Sequence, residues 1–156
     1  MQAKVLLCDH AQVAQSKLFI SGANINRMMV APNAPHVVNV ALAIEVMVPW
    51  NATNQAHSLT VELVSDGGAR IPLADMLPPD HDAGDMGMIV ANFNVGRSPD
   101  LLPGEDTLMP IALPFYGLPL PQLGSYFFVV RIDGTEVDRV SFRISPINPA
   151  MFGQGF

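Results

Sequence analysis

The amino-acid sequence predicts an all-β domain folded as an antiparallel sandwich. Three observations carry that prediction. Apolar residues recur with a period of two along successive segments of the chain. Turn signals such as Asp66-Gly67-Gly68 and Asp133-Gly134 separate those segments. Only Ala11–Ser16 (AQVAQS) is a candidate for a single helical turn, and no other segment has helical spacing over enough length. At 156 residues the chain is the size of one domain. A domain that long buries roughly 70% of the surface its unfolded chain exposes, so the fold needs no metal or disulfide staple.

The elements follow in order. Lys4–His10 (KVLLCDH) and Lys17–Ala23 (KLFISGA) form a first pair of strands. Val37–Val48 (VVNVALAIEVMV) is the clearest strand: Val38, Val40, Leu42, Ile44, Val46 and Val48 share one face, and Pro49 stops it. His57–Ser65 repeats the pattern, with Leu59, Val61 and Leu63 inward and Thr60 and Glu62 outward. Ala69–Leu73 (ARIPL) is a short partner whose proline places it on an edge. Gly87–Gly96 (GMIVANFNVG) is another strand. Asp106–Phe115 (DTLMPIALPF) follows, with a proline that a central strand would not tolerate. Residues 75–87 and 97–106 read as surface loops.

The last two strands make a sharper prediction. Tyr126, Phe128, Val130 and Ile132 share a face, and so do Val140, Phe142 and Ile144. A plain two-residue Asp133-Gly134 hairpin pairs Ile132 with Thr135 and puts these two sets on opposite sides of the sheet. A shift of one residue repairs the mismatch. The sequence therefore predicts an odd-length loop or a β-bulge near Thr135–Asp138.

Two resemblances add to this reading. Leu123-Gly124-Ser125-Tyr126, entering a strand after Pro121-Gln122, resembles the tyrosine corner of immunoglobulin-like sandwiches. There the tyrosine hydroxyl bonds back to the upstream backbone. The expected fold is thus an immunoglobulin-like sandwich of eight or nine strands over residues 1–145, with an extended apolar arm over 146–156. The chain also resembles a family of small bacterial proteins classified only as a domain of unknown function. The likeness lies in KVLLCDHAQVAQSKLFISGA, the long strand ending in Val48-Pro49-Trp50, HSLTVELVSDGG and LPLPQLGSYFFVVRIDGTEV, and covers about residues 3–145. It implies the fold and brings no catalytic residue with it, and this chain extends past the family's usual end.

Composition excludes several roles. The net charge is −6, and no stretch clusters Lys and Arg more densely than Arg139 and Arg143. Nucleic acids and anionic membranes are therefore not expected partners. One cysteine, Cys8, allows no internal disulfide and reads as a small buried hydrophobe. The seven residues ahead of it are too short for a lipoprotein signal. The expected location is the cytoplasm, or a virion into which the protein is incorporated. Charged residues make up 14% of the chain, against roughly 25% in an ordinary domain. Either uncharged polar residues cover the outside or a partner does.

No motif is arranged for chemistry. Asp80–Asp85 (DHDAGD) gathers three carboxylates and His81, but without the acid-at-every-second-position spacing of a calcium loop. His10, His36, His57 and His81 are scattered and show no zinc spacing. There is no nucleophile elbow and no phosphate-binding glycine loop. No catalytic residue, metal ligand or cofactor is assigned. The nine methionines suit either core filling or an adaptable interface. The more specific signal is the tail INPAMFGQGF, in which Ile147, Met151, Phe152 and Phe156 are large apolar groups without a charged neighbour. It is expected to pack, either on its own sandwich or on a neighbouring subunit.

The expected function is that of a non-catalytic structural or interaction protein, a subunit of a larger assembly with protein partners. A protein decorating or cementing a phage capsid fits the low charge, the β-sandwich and the apolar arm. The alternative is a soluble module binding a small ligand or a regulatory protein through loops 75–87 and 97–106.

Overall fold

The computed structural model describes residues 1–73, 87–148 and 150. Ten strands are described: β1 (Gln2–Ala14), β2 (Lys17–Ala23), β3 (Arg27–Val30), β4 (His36–Pro49), β5 (Ala56–Ser65), β6 (Arg70–Ile71), β7 (Ile89–Asn94), β8 (Asp106–Leu120), β9 (Gly124–Ile132) and β10 (Thr135–Pro146). They form two sheets, one ordered β2-β1-β4-β8, the other β3-β10-β9-β5-β6 with β7 also pairing with β5. The protein is an all-β sandwich, with ten strands where eight or nine were expected. The addition is β3, whose four residues are too few to show a period. It runs parallel to β10, so the second sheet is mixed rather than wholly antiparallel.

The alternation read from the sequence is the alternation of burial. Val38, Val40, Leu42, Ile44, Val46 and Val48 of β4 face Leu59, Val61 and Leu63 of β5 and Phe128, Val130 and Ile132 of β9 in one core. Aromatic rings join the two sheets there. Phe128 stacks on Phe115 of β8 at 5.1 Å and on Phe142 of β10 at 5.8 Å, and Phe142 stacks on Tyr126 at 5.7 Å.

The last hairpin has the predicted irregularity. Asp133 and Gly134 both take positive φ, 50° and 80°, as a two-residue turn between right-twisted strands requires. Ile132 pairs with Thr135, and the register then shifts between Glu136 and Asp138, returning Val140 to Phe128 and Phe142 to Tyr126. The corner is also present: the Tyr126 hydroxyl donates to the Gln122 carbonyl at 2.6 Å and accepts from the Gln122 N–H at 3.2 Å.

The β1–β2 hairpin departs from expectation. Ala11–Ala14 continue β1, and Gln15 and Ser16 make the turn at φ 50° and 57°, so AQVAQS holds no helical turn. The β1–β4 ladder ends at Cys8–Ala41, while β1 runs on for six residues. That extension crosses the outer face of β4. Ala11 and Leu18 pack with Cys8, Ala41, Ala43 and Ala112 in a second apolar cluster, and His10 Nδ1 lies 2.8 Å from the Tyr116 hydroxyl on β8. The alanines of β4 leave room for this approach. Two non-glycine residues at positive φ are costly. Exchanging Gln15-Ser16 for Asn-Gly is therefore expected to stabilise the domain by about 1 kcal/mol, read as a higher urea midpoint with an unchanged slope.

Strand β8 lies at the edge of its sheet and carries Pro110, Pro114 and Pro119. Proline has no N–H for a ladder, and an edge strand accommodates it where the nitrogen faces away from the neighbouring strand.

Candidate functional site

Of the four tail residues expected to bind a partner, Ile147 is half-exposed, and its N–H donates to the Val30 carbonyl at 2.9 Å, extending the β3–β10 contact. Met151, Phe152 and Phe156 lie outside the described residues, as do Asp80, His81, Asp82 and Asp85.

The three described histidines serve the fold. His36 Nδ1 bonds to the Ala31 carbonyl at 3.0 Å. His10 meets Tyr116 across the hairpin. His57 is buried and uses both ring nitrogens, Nε2 toward the Ala52 carbonyl and Nδ1 toward the Asp133 carboxylate, each at 2.8 Å. Both partners are acceptors, so the doubly protonated ring suits the site. The Ala52 carbonyl first and the Asp133 carboxylate second raise the His57 pKa above its ordinary value. The Ser58 N–H and then His57 lower that of Asp133. Among the described residues no group of three or more His, Cys, Asp or Glu is placed to hold a metal ion. Burial, with the charge of Asp9, pushes the Cys8 thiol up; its Sγ lies 3.3 Å from the Ala41 carbonyl.

Loop 97–106 is anchored by Arg97. Its guanidinium lies 3.6 Å from the centre of the Trp50 ring and donates to Thr53 Oγ1 at 2.8 Å and to the Trp50 carbonyl at 2.9 Å. A cation seated on an aromatic face and bonded to a carbonyl is a structural clamp.

Two broad faces remain. On the four-stranded sheet and its hairpin, Leu6, Phe19, Ile20, Leu108 and Tyr116 are exposed. Leu6 and Ile20 line a cavity of about 110 Å³ with Lys4, Leu18, Ala43 and Glu45. The outer face of the six-stranded sheet is polar. Glu62 was expected to point outward, and it does, yet it is buried because arginines close over it. Arg70 reaches Glu62 at 2.9 Å, and Arg131 contacts its other oxygen. Glu136 binds Arg139 through two contacts of 3.0 and 3.1 Å and lies 3.9 Å from Arg131. Phe127 and Val129 floor this concavity of about 530 Å³.

The sequence reading missed this cluster, because its members come from separate strands. One signal was available: an Asp-Gly hairpin sets Arg131 opposite Glu136. A further cleft of about 450 Å³, lined by Pro35, Ile71, Pro72, Pro119, Leu120 and Pro121, is apolar apart from Arg70 at its margin.

The fold and these faces define a two-sheet β-sandwich domain with extended outer surfaces. The chain belongs to DUF6941, a family of unknown function, which matches it over residues 4–145. No curated protein matches the chain.

Proposed function

We propose that the protein is an interaction subunit that works through its surfaces, as part of a larger assembly. The observation that carries this reading is the apolar outer side of the four-stranded sheet and its hairpin. Leu108 is 56% exposed, Tyr116 51% and Phe19 49%. Several large apolar groups on one side of a domain are characteristic of a surface that another protein covers. The low charge supports the same reading. Decoration or cementing of a virion is one role within this class, supported by the low charge, the sandwich and the apolar tail sequence.

Light-scattering mass after size exclusion tests the reading. The full chain is expected to associate, with itself or with a large partner from its native source. Phe19→Glu with Leu108→Glu is expected to abolish that association while the fold is retained, since both side chains are half in solvent. A chain ending at Ser145 separates the contribution of the tail from that of the sheet. A full chain that stays monomeric and binds no large partner would overturn the proposal.

The second reading, a module for a small ligand, is favoured by the proline-lined cleft. Its apolar walls and single charged margin suit a flat apolar ligand with one anionic group.

A further inference from the structure

On the opposite side of the sandwich, five of the eight basic residues of the chain meet on one sheet face. They are Arg27 on β3, Arg139 and Arg143 on β10, Arg131 on β9 and Arg70 on β6. The register puts them there. Arg143 pairs with Arg27 beside the inward pair Ile144–Met28, and Arg139 pairs with Val129 beside the inward pair Val140–Phe128. Among the described residues, the carboxylates on this face are Glu62 and Glu136, with Asp66 on the rim of the concavity. Asp138 is turned away and accepts the Val5 N–H at 2.8 Å. Among the described residues, five arginines against three carboxylates leave an excess of two positive charges on this face, on a chain whose net charge is −6.

The arginines are not equivalent. Arg70, Arg131 and Arg139 are engaged by Glu62 and Glu136. Arg27 and Arg143 are exposed, stand directly side by side, and have no ion pair among the described residues. Like charges directly opposite on neighbouring strands destabilise a sheet. An anion bound between them would remove that cost. Arginine offers carboxylates a planar pair of donors, which lysine does not.

We propose that this face docks an acidic, extended protein segment, with carboxylates held by Arg27 and Arg143 and apolar side chains lying toward Met29 and Phe127. The span from β3 to β6 covers four strand spacings, about 19 Å, the length of about six extended residues. Met29 is exposed beside Arg27, and the Arg139 guanidinium lies 5.8 Å from the Phe127 ring centre, so charge and apolar surface alternate across the face. A nucleic acid fits less well. Glu62, Glu136 and Asp66 would face its phosphates, and the net charge of the chain repels a long polyanion.

Fluorescence anisotropy on the full chain tests the proposal. The probes are a labelled octapeptide of alternating glutamate and leucine, its lysine counterpart and an oligodeoxythymidine. The glutamate peptide is expected to bind and the lysine peptide to fail. Affinity for the glutamate peptide is expected to fall at least about tenfold in Arg27→Ala with Arg143→Ala, and to weaken as salt rises from about 50 to about 300 mM. Arg27→Lys with Arg143→Lys, which keeps the charge and the sheet, is expected to fall between wild type and the alanine pair. No binding of the glutamate peptide overturns the proposal. So does binding that is indifferent to both double changes, or tighter binding of the oligodeoxythymidine.

Discussion

Phe128→Ala is expected to cost about 3–5 kcal/mol of folding stability, the usual loss for a fully buried aromatic ring. Phe128 has no exposed surface and stands between Phe115 of one sheet and Phe142 of the other. Its removal leaves a cavity where the two sheets meet, and the strands on either side are held by ladders that resist collapse into it. Stacked ring contacts add about 0.5–1.5 kcal/mol each beyond the buried area, and two of them are lost. Against a total of about 5–15 kcal/mol for an ordinary domain, such a loss leaves the fold marginal. Urea denaturation is the measurement, with Phe127→Ala as control. Phe127 is the sequence neighbour on the outer face and is only partly buried, so its replacement is expected to cost about 1 kcal/mol. Similar losses at the two positions would contradict the opposite facing of these neighbouring rings.

The second expected result concerns pH. Asp133 accepts the Ser58 N–H at 2.9 Å and the His57 Nδ1–H at 2.8 Å from its place in the Asp-Gly turn. The folded His57 pKa is raised above 6.5, so its contribution is complete below pH 6.5 and is lost as pH rises through the folded value. The folded Asp133 pKa is lowered from 3.8, so its contribution is complete above pH 3.8 and is lost as pH falls through the folded value. Both contributions are complete between pH 3.8 and 6.5. Stability from this pair is therefore expected to decline on the alkaline side of that window. Asp133→Asn keeps an acceptor for Ser58 and tolerates the positive φ, but removes the charge, and should flatten the decline. Asp133→Ala also removes both side-chain bonds and is expected to cost about 1–2 kcal/mol, because half of that side chain is in solvent. Proton resonances of the His57 ring followed through the titration supply the independent check.

The sequence showed most where an element depends only on its own residues. The long β4 alternation, the bulge near Thr135–Asp138 and the Tyr126 corner were all legible, because period, turn chemistry and face-matching are local constraints. Strand β3 was not, since Arg27–Val30 becomes a strand by pairing with residues more than a hundred positions away. The crossing of the β1–β2 hairpin was hidden for the same reason. Its trace in the sequence is the alanines at 41 and 43, which alternate with the inward residues of β4 and are small enough to admit a covering strand. The arginine face shows the limit most plainly. Basic residues are sparse along the whole chain, and the register of β3, β10, β9 and β6 brings five of them together. The tail, the strongest sequence signal for a partner, starts from Ile147, whose N–H bonds to the Val30 carbonyl.

The prolines of β8 bear on how such a domain can multiply. A strand seeking a new neighbour at that border would meet a row of carbonyls with donors missing at 110, 114 and 119. Lateral fusion of sheets, the route by which β-proteins grow into fibres, is discouraged there. On the other side of the same sheet the border belongs to the β1–β2 hairpin, which turns across the surface and offers no flat continuation. The four-stranded sheet therefore offers a neighbour its broad outer face rather than either of its borders.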